Sequence, residues 1–148
     1  MTTEYKRITF DILKPFLDIA VQRGCKIRRG SFREPFASLG PPTAVCPLGA
    51  MILDVVGQLA IYAKITGMGY GNASYLNGFW GGFDGWPREE ETRYSNPRDG
   101  TLFDNAMGYH DGVAVLEACV ANGYMDRPEP RAWSQGPTDA EASFYRRE

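Results

Sequence analysis

The stretch YLNGFWGGFDGWP at residues 75–87 decides the fold, because it interleaves large aromatic residues with glycines. Its apolar residues recur at positions i, i+3, i+4 and i+7, a spacing that places them on one face of a helix: Leu76, Phe79, Trp80 and Phe83. The glycines of the stretch gather on the other side: Gly78, Gly81, Gly82 and Gly85.

Glycine inside a helix costs about 1 kcal/mol relative to alanine, so this glycine face needs a compensating contact. The close approach of another backbone would provide one, and the glycines would then form a docking surface. The alternative is that Gly81 and Gly82 end the helix and that FDGWP is an aromatic-rich loop.

A second stretch carries glycines at helical spacing and is the candidate partner. We predict a helix that opens with Asp104 as its cap and stops at Asn122 and Gly123. Gly108 and Gly112 lie four residues apart and give this helix a small-xxx-small face. The two glycine faces are therefore expected to pack against each other, backbone to backbone.

A further helix is predicted near the N-terminus from apolar residues at helical spacing: Phe10, Leu13, Leu17 and Ala20. Thr9 is its candidate cap and Gly24 its stop. Because Pro15 removes one backbone hydrogen bond, this helix is either kinked or begins at Lys14.

Pro47 suits the first turn of another helix, where its missing N–H is not needed. That helix is expected to present one apolar stripe: Leu48, Met51, Ile52, Val55 and Leu59. Residues 25–45 contain glycines, prolines and short β-compatible pieces, which predict a small β-hairpin or an irregular loop. Asn72 or Ser74 is the expected cap of the glycine-bearing helix.

These patterns predict a mainly α fold, a single-domain bundle of about four helices with a small β-hairpin or irregular loop at 25–45. Residues 1–124 are expected to form the compact helical domain. Residues 125–148 form a proline-rich, extended tail, in which Thr138 and Glu141 indicate a capping box for a short terminal helix.

Composition narrows the classes of function. A net charge of −2 and a pI near 5.5 give no cationic field for wholesale nucleic-acid binding. The three cysteines lack CxxC spacing, which favours reduced thiols in the cytoplasm and predicts no metal site and no cofactor. Asp54, Gln58 and Lys64 interrupt the apolar run at 48–65, which therefore reads as a buried helix and not as a membrane span.

Three residues are candidates for catalysis: Cys46, His110 and Asp111. Cys46 precedes a predicted helix N-terminus, where the helix dipole would lower the pKa of a thiol and favour the reactive thiolate. The alternative is a small buried hydrophobic residue at a cap position. His110 could act as a general base, although Asp111 beside it points about 100° away along a helix and is poorly placed to orient it.

A ligand-binding cleft on the two glycine-bearing segments would contain aromatic and titratable side chains: Trp80, Asp84, Asp104 and His110. Carboxylates at Asp84, Asp104 and Asp111 could hold a divalent cation there, or could serve as caps and ion-pair partners. The tryptophan could equally be a core anchor.

A basic cluster lies in the non-helical region and comprises Lys26, Arg28, Arg29 and Arg33. Displayed on a hairpin, these four cations could contact phosphates. A solvated basic loop is the alternative, since the rest of the chain is acidic.

Three motifs occur in order, CPLGA at 46–50, GFDG at 82–85 and GYHDG at 108–112. In this order they resemble a group of small uncharacterised proteins from bacteria and their phages. The resemblance spans residues 8–123 and implies a compact helical domain without implying an activity. The segment REEETRYSNPRDGT at 88–101 and the tail after Tyr124 depart from the pattern.

The sequence therefore predicts a non-enzymatic binding or regulatory protein, whose partner is another protein or a second copy of this chain and not a membrane. One alternative is a small hydrolase or transferase that uses Cys46 and His110. The other is an accessory protein that contacts nucleic acid through residues 26–33, a partner less favoured by the acidic composition.

Overall fold

Five helices and three two-residue strands make up the part of the chain that the computed structural model describes, residues 5–30, 33–34, 42–53, 58–86 and 101–129. In chain order they are α1 (Phe10–Gln22), β1 (Lys26–Ile27), β2 (Arg33–Glu34), β3 (Ala44–Val45), α2 (Pro47–Met51), α3 (Gln58–Gly67), α4 (Ala73–Asp84) and α5 (Thr101–Ala121). The mainly α class is confirmed. No helix in the described ranges combines the length and the apolarity needed to cross a bilayer. The predicted capping box at Thr138 and Glu141 lies outside the described residues.

The helix pair α4 and α5 is built on reciprocal glycine contacts, as the sequence predicts. A Cβ placed on Gly78 would lie 2.0 Å from the main-chain oxygen of Asn105, and one on Gly82 would lie 2.2 Å from that of Tyr109. In the other direction, a Cβ on Gly108 would lie 1.9 Å from the Tyr75 oxygen. Side-chain atoms do not occupy such distances, so only glycine fits at these positions. The register also shows that the two helices run parallel.

The aromatic face of α4 fills the core on its other side. Its four predicted apolar residues are all buried, at 0 to 3% exposure: Leu76, Phe79, Trp80 and Phe83. The helix starts at Asn72, whose side chain accepts from the Tyr75 N–H at 2.9 Å, and ends at Gly85 with φ +89°. Because the helix continues through Gly81 and Gly82, the alternative of an aromatic-rich loop is excluded.

The predicted stripe from Leu48 to Leu59 is wrong, because the chain is not one helix there. Helix α2 ends at Met51, and Ile52 leaves it with φ −134° and ψ 77°. Residues 54–57 lie outside the described ranges, α3 begins at Gln58, and Leu59 is 75% exposed. All five residues of α2 are buried, so it is a short helix surrounded by core and not an amphipathic surface helix.

One helix start agrees with its predicted position and one does not. The predicted cap at Thr9 is confirmed: its hydroxyl accepts from the Ile12 N–H at 3.3 Å, and helix α1 begins at Phe10 and not at the alternative, Lys14. Pro15 lies inside the helix, where it leaves one carbonyl without its usual partner. Helix α5 begins at Thr101, so Asp104 belongs to its first turn and is not its cap.

The strands form a mixed sheet in which β2 and β3 make the antiparallel pair of the predicted hairpin and β1 adds a parallel strand. Its order is β1-β3-β2, with β1 parallel to β3 and β2 antiparallel to β3. Lys26 pairs with Ala44 and Ile27 with Val45 in the parallel ladder. The first strand therefore lies at an edge of the sheet, with its other side turned away from β3.

An N-terminal strap, residues 5–9, fastens α4 to α5. The hydroxyl of the fully buried Tyr75 accepts from the Ile8 N–H at 2.7 Å and donates to the Asp111 carboxylate. Arg7 holds the same carboxylate with two hydrogen bonds of 2.7 and 3.0 Å, and the Tyr5 hydroxyl donates to Asp104 at 2.6 Å. Burial and Asp111 hold the pKa of Tyr75 well above its ordinary value, so its phenol stays a proton donor.

Replacing Gly82 with alanine is expected to destabilise the protein by about 3 kcal/mol, since the added methyl group meets the Tyr109 backbone at 2.2 Å. Gly67→Ala is the matched control, because a Cβ there has no atom within 4 Å and helix propensity favours alanine by up to about 1 kcal/mol. Urea unfolding of both variants measures the difference. Equal stability of the two variants would contradict the role of the glycines in the contact between α4 and α5.

Tyr75→Phe is expected to lower the free energy of unfolding by about 1–3 kcal/mol, because it leaves the Ile8 N–H without its acceptor and removes a donor to Asp111. Tyr70→Phe is the control, since the Tyr70 hydroxyl makes no hydrogen bond to any described residue. Thermal unfolding compares the two. If the hydrogen bonds of the strap contributed nothing to stability, both variants would unfold at the same midpoint temperature.

Candidate functional site

A groove of about 940 Å³ opens between the end of α1, strand β1 and the segment that follows α5, residues 122–129, here called the C-terminal segment. The described residues that line it are 21, 25–29, 122–126 and 128. Its volume lies within the range of about 300–1,000 Å³ typical of pockets for small ligands. The two strands of the sheet that follow β1 contribute no described residue to this lining.

Helices α1 and α5 end in the same way, and their ends position the two walls of the groove. At the end of α1, Gly24 adopts φ +89° and the Cys25 N–H donates to the Ala20 oxygen at 2.9 Å. At the end of α5, Gly123 adopts φ +80° and the Tyr124 N–H donates to the Cys119 oxygen at 2.9 Å. Both are glycine-based helix caps that reverse the chain sharply. The sequence predicts where each of the two helices ends. It does not predict that the chain turns toward the same groove after both of them.

The C-terminal segment is held in place by polar contacts with two helices, α1 and α5. The Tyr124 hydroxyl donates to Asp18 of α1, and Arg127 forms two hydrogen bonds with Glu117 of α5, at 2.6 and 2.9 Å. The hydrogen bond from Tyr124, with a further one from Lys14, holds the pKa of Asp18 below its ordinary value. Asp18 therefore remains an ionised acceptor at neutral pH, and this wall of the groove stays attached to α1.

Three of the four predicted basic residues line the groove, in two different roles. Lys26 and Arg28 are exposed. The Lys26 N–H donates to the Thr43 oxygen and the Arg28 N–H donates to the Val45 oxygen, each at 3.0 Å. Exposure alternates at these three positions, with Lys26 and Arg28 exposed and Ile27 between them buried, as in an extended chain with one buried face. The Arg33 side chain lies outside the described residues.

The Arg29 side chain forms hydrogen bonds with two separate parts of the fold. Its guanidinium donates to the main-chain oxygen of Asp84 at 3.1 Å and to that of Glu129. A Cβ on Gly85 would lie 2.8 Å from its Nη1 atom, so the glycine that ends α4 also makes room for this side chain. Arg29 thus joins the end of α4 to the C-terminal segment beside the groove.

Cys46 is placed at the start of α2 as predicted, and its surroundings favour the alternative of a small buried residue at a cap over the reactive thiolate. The residue is 1% exposed, and burial raises the pKa of its thiol to about 12, although the N–H groups of Leu48 and Gly49 act in the other direction. The negative charge of Asp84 raises it further. A five-residue helix supplies too little stabilisation of a thiolate to offset complete loss of solvent.

His110 does not form a catalytic pair with Cys46. His110 is exposed on α5, with its ring edge-on to Tyr109 at a centroid distance of 6.3 Å, whereas Cys46 is buried. Asp111 is engaged by Arg7 and Tyr75, so it orients the N-terminal strap and not the His110 ring. Among the hydrogen bonds of the described residues, none joins the three catalytic candidates to one another.

The predicted ligand cleft on α4 and α5 is not assembled. Trp80 and Asp84 are buried, at 3% and 1% exposure, and His110 is on the surface. Asp104 accepts from the amide of Asn72, at the first turn of α4, at 3.0 Å. Asp84 is the last residue of that helix, about 18 Å further along its axis. Within the described ranges, no three His, Cys, Asp or Glu side chains are grouped as metal ligands.

The groove contains residues that the sequence reasoning did not select as functional. Tyr124, Met125 and Asp126 fall at the boundary between the predicted domain and tail, where no motif marks a site. Val21 is an apolar residue with 48% exposure at the end of α1. The only local signal was the pair of helix-ending glycines, Gly24 and Gly123, which predict the chain reversals but not their common direction.

Native protein at pH 7.5 is expected to resist alkylation of Cys46 by iodoacetamide, because a thiol with a pKa near 12 and 1% exposure has little thiolate and no access. The same protein in guanidinium should react at that position as fast as a cysteine peptide. Peptide mapping by mass spectrometry reads out both rates. Native labelling as fast as the peptide would restore the nucleophile hypothesis.

Comparisons with protein-family models, with curated proteins and with solved structures found no match for this chain. The resemblance carried by CPLGA, GFDG and GYHDG therefore stays a prediction. The functional interpretation depends on the geometry of the groove and of the residues around it.

Proposed function

We propose that this chain is a non-enzymatic binding protein that holds an anionic ligand in the groove beside β1. The observation that carries the proposal is the placement of Lys26, in β1, and Arg28, directly after it, both exposed and both lining the groove. The backbone at both positions is fixed, because their main-chain N–H groups donate to the oxygens of Thr43 and Val45. A pair of cations in fixed positions can select a ligand by the separation of its negative groups.

The electrostatic balance of the groove supports an anion. The described lining contains three cationic side chains, Lys26, Arg28 and Arg29, and one carboxylate, that of Asp126. The C-terminal ends of α1 and α5 each contribute partial negative charge of about half an electron, which falls off within the last turn. The glycine caps at these ends use several of the last carbonyls in hydrogen bonds. Cationic side chains therefore outnumber carboxylates along the described lining, although the chain as a whole has a net charge of −2.

The alternative enzyme with a Cys46 nucleophile lacks support from the residues around the thiol. Burial raises the pKa of Cys46, and no general base among the described residues is hydrogen-bonded to it. A binding role needs no such group. Nucleic acid would contact the same cationic side chains. An oligonucleotide is therefore one of the four anionic probes in the test.

Titration of ¹⁵N-labelled protein with four anionic probes tests the proposal: pyrophosphate, citrate, a ten-nucleotide oligothymidine, and a blocked hexapeptide of alternating glutamate and valine. At least one probe is expected to shift the amide resonances of residues 26–28 and 124–126, which line the groove. Lys26→Glu should weaken that binding about tenfold, because it reverses one of the two exposed cations.

Lys64→Glu is the matched control, since it makes the same change of charge on an exposed residue of α3 that does not line the groove. Its affinity should stay within about twofold of the unmodified protein. The proposal fails if no probe shifts the groove resonances, or if Lys64→Glu weakens binding as much as Lys26→Glu does.

A further inference from the structure

The groove beside β1 has apolar surface on both of its walls. At the end of α1, Val21 lines it and keeps 48% of its surface exposed. On the C-terminal segment, Met125 and Pro128 line it, and both are half-buried. Apolar surface inside a concave site is the usual lining of a pocket for a small ligand. The two walls therefore offer a ligand apolar contacts from both sides.

Lys26 supplies a cation in the same lining. Its side chain is exposed, and within the described part of the chain its ammonium group takes part in no hydrogen bond and no ion pair. Arg29, by contrast, is occupied, since its guanidinium donates to the main-chain oxygens of Asp84 and Glu129. Because the Lys26 N–H is bonded to the Thr43 oxygen, the backbone that carries the ammonium is fixed. A single anionic group of a ligand would therefore pair with Lys26.

Asp126 limits how much negative charge a ligand can bring into the groove. Its carboxylate is exposed on the C-terminal segment and lines the groove next to Met125. A second anionic group of the ligand would be repelled beside Asp126. Placed on Val21 or Met125, that group would lose its water without gaining a partner. The end of the ligand that lies away from Lys26 should therefore be apolar.

We infer that the ligand of the groove is a small amphipathic monoanion, a molecule with one carboxylate and a short hydrocarbon body. This inference rests on the proposed function, since it names the ligand class of the same groove. The carboxylate pairs with the Lys26 ammonium. The hydrocarbon body packs between Val21 and Met125, where it removes their exposed surface from water. Both contacts use side chains and leave the pairing of β1 with β3 unchanged.

The first test compares three aliphatic carboxylates by titration of the ¹⁵N-labelled protein: butanoate, octanoate and octanedioate. Octanoate is expected to bind at least tenfold more tightly than butanoate, because each methylene that leaves water strengthens binding about fourfold. Octanedioate has the same length, with a second carboxylate in place of the terminal methyl group. It is expected to bind at least tenfold more weakly than octanoate, whereas a site that recognises charge alone would prefer the dianion.

The second test compares two exposed apolar residues of α1. Val21→Ser is expected to weaken octanoate binding about threefold or more and to leave butanoate binding within about twofold. Ile19→Ser is the matched control, because Ile19 is 43% exposed on the same helix and does not line the groove. Its affinity for octanoate should stay within about twofold of the unmodified protein. Lys26→Met removes the ammonium and should weaken octanoate binding about threefold or more. Unchanged amide resonances outside the groove show that each variant is folded.

The outcomes separate this inference from the proposed function. If pyrophosphate or citrate binds in the groove with a dependence on Lys26, while octanoate binds no more tightly than butanoate, the anion site stands and the apolar contact is wrong. Octanedioate binding as tight as that of octanoate, or equal octanoate affinities of Val21→Ser and Ile19→Ser, also overturns the inference. If octanoate and the four earlier probes all leave the groove resonances unshifted, both proposals fail together.

Discussion

The structure depends on the direct contact between the backbones of α4 and α5. Gly78 and Gly82 of one helix and Gly108 and Gly112 of the other each leave room for a carbonyl of the partner helix. The contact is reciprocal, so the axes approach more closely than helices that carry side chains at the interface. Phe79, Trp80 and Phe83 of α4 are buried in the core, whereas the Tyr75 hydroxyl reaches Asp111 of α5. Glycine lowers helix propensity at each position, and the close packing of two long segments offsets that loss.

The rest of the molecule is attached to this pair. The N-terminal strap bonds to Tyr75, Asp104 and Asp111, which belong to the two helices, and so ties the start of α1 to them. The ends of α1 and α5 both turn at a glycine and lead into the two walls of the groove. Arg29 then connects the end of α4 to the C-terminal segment. The candidate site is therefore formed by chain reversals that the helix pair holds in place.

Local patterns predicted the elements that are governed by local rules. The faces of α4, the caps at Thr9 and Asn72, and the stops at Gly24 and Gly123 follow from spacing and backbone chemistry. The break after Met51 was not predictable in this way, because apolar residues on both sides of it continue a helical period by coincidence.

The groove and the chemistry of Cys46 are properties of tertiary structure. Sequence places Cys46 before a helix, where a dipole favours the thiolate, but only the fold shows that the residue is 1% exposed. Loss of solvent then outweighs the dipole. In the same way, Lys26 and Arg28 are recognisable as a basic cluster, whereas their position beside the groove depends on the pairing of β1 with β3, about twenty residues later in the chain.

The four-residue periodicity of the α4–α5 contact restricts how this architecture can change in length. Inserting or deleting one residue inside α4 would rotate everything beyond that point by about 100°, which would bring bulky rings against the α5 backbone and expose glycines to solvent. Within the helix pair, evolution can therefore exchange residues but cannot add or remove single positions without losing register. Related chains should vary in length at the connections, and the spacing between paired glycines should stay at four.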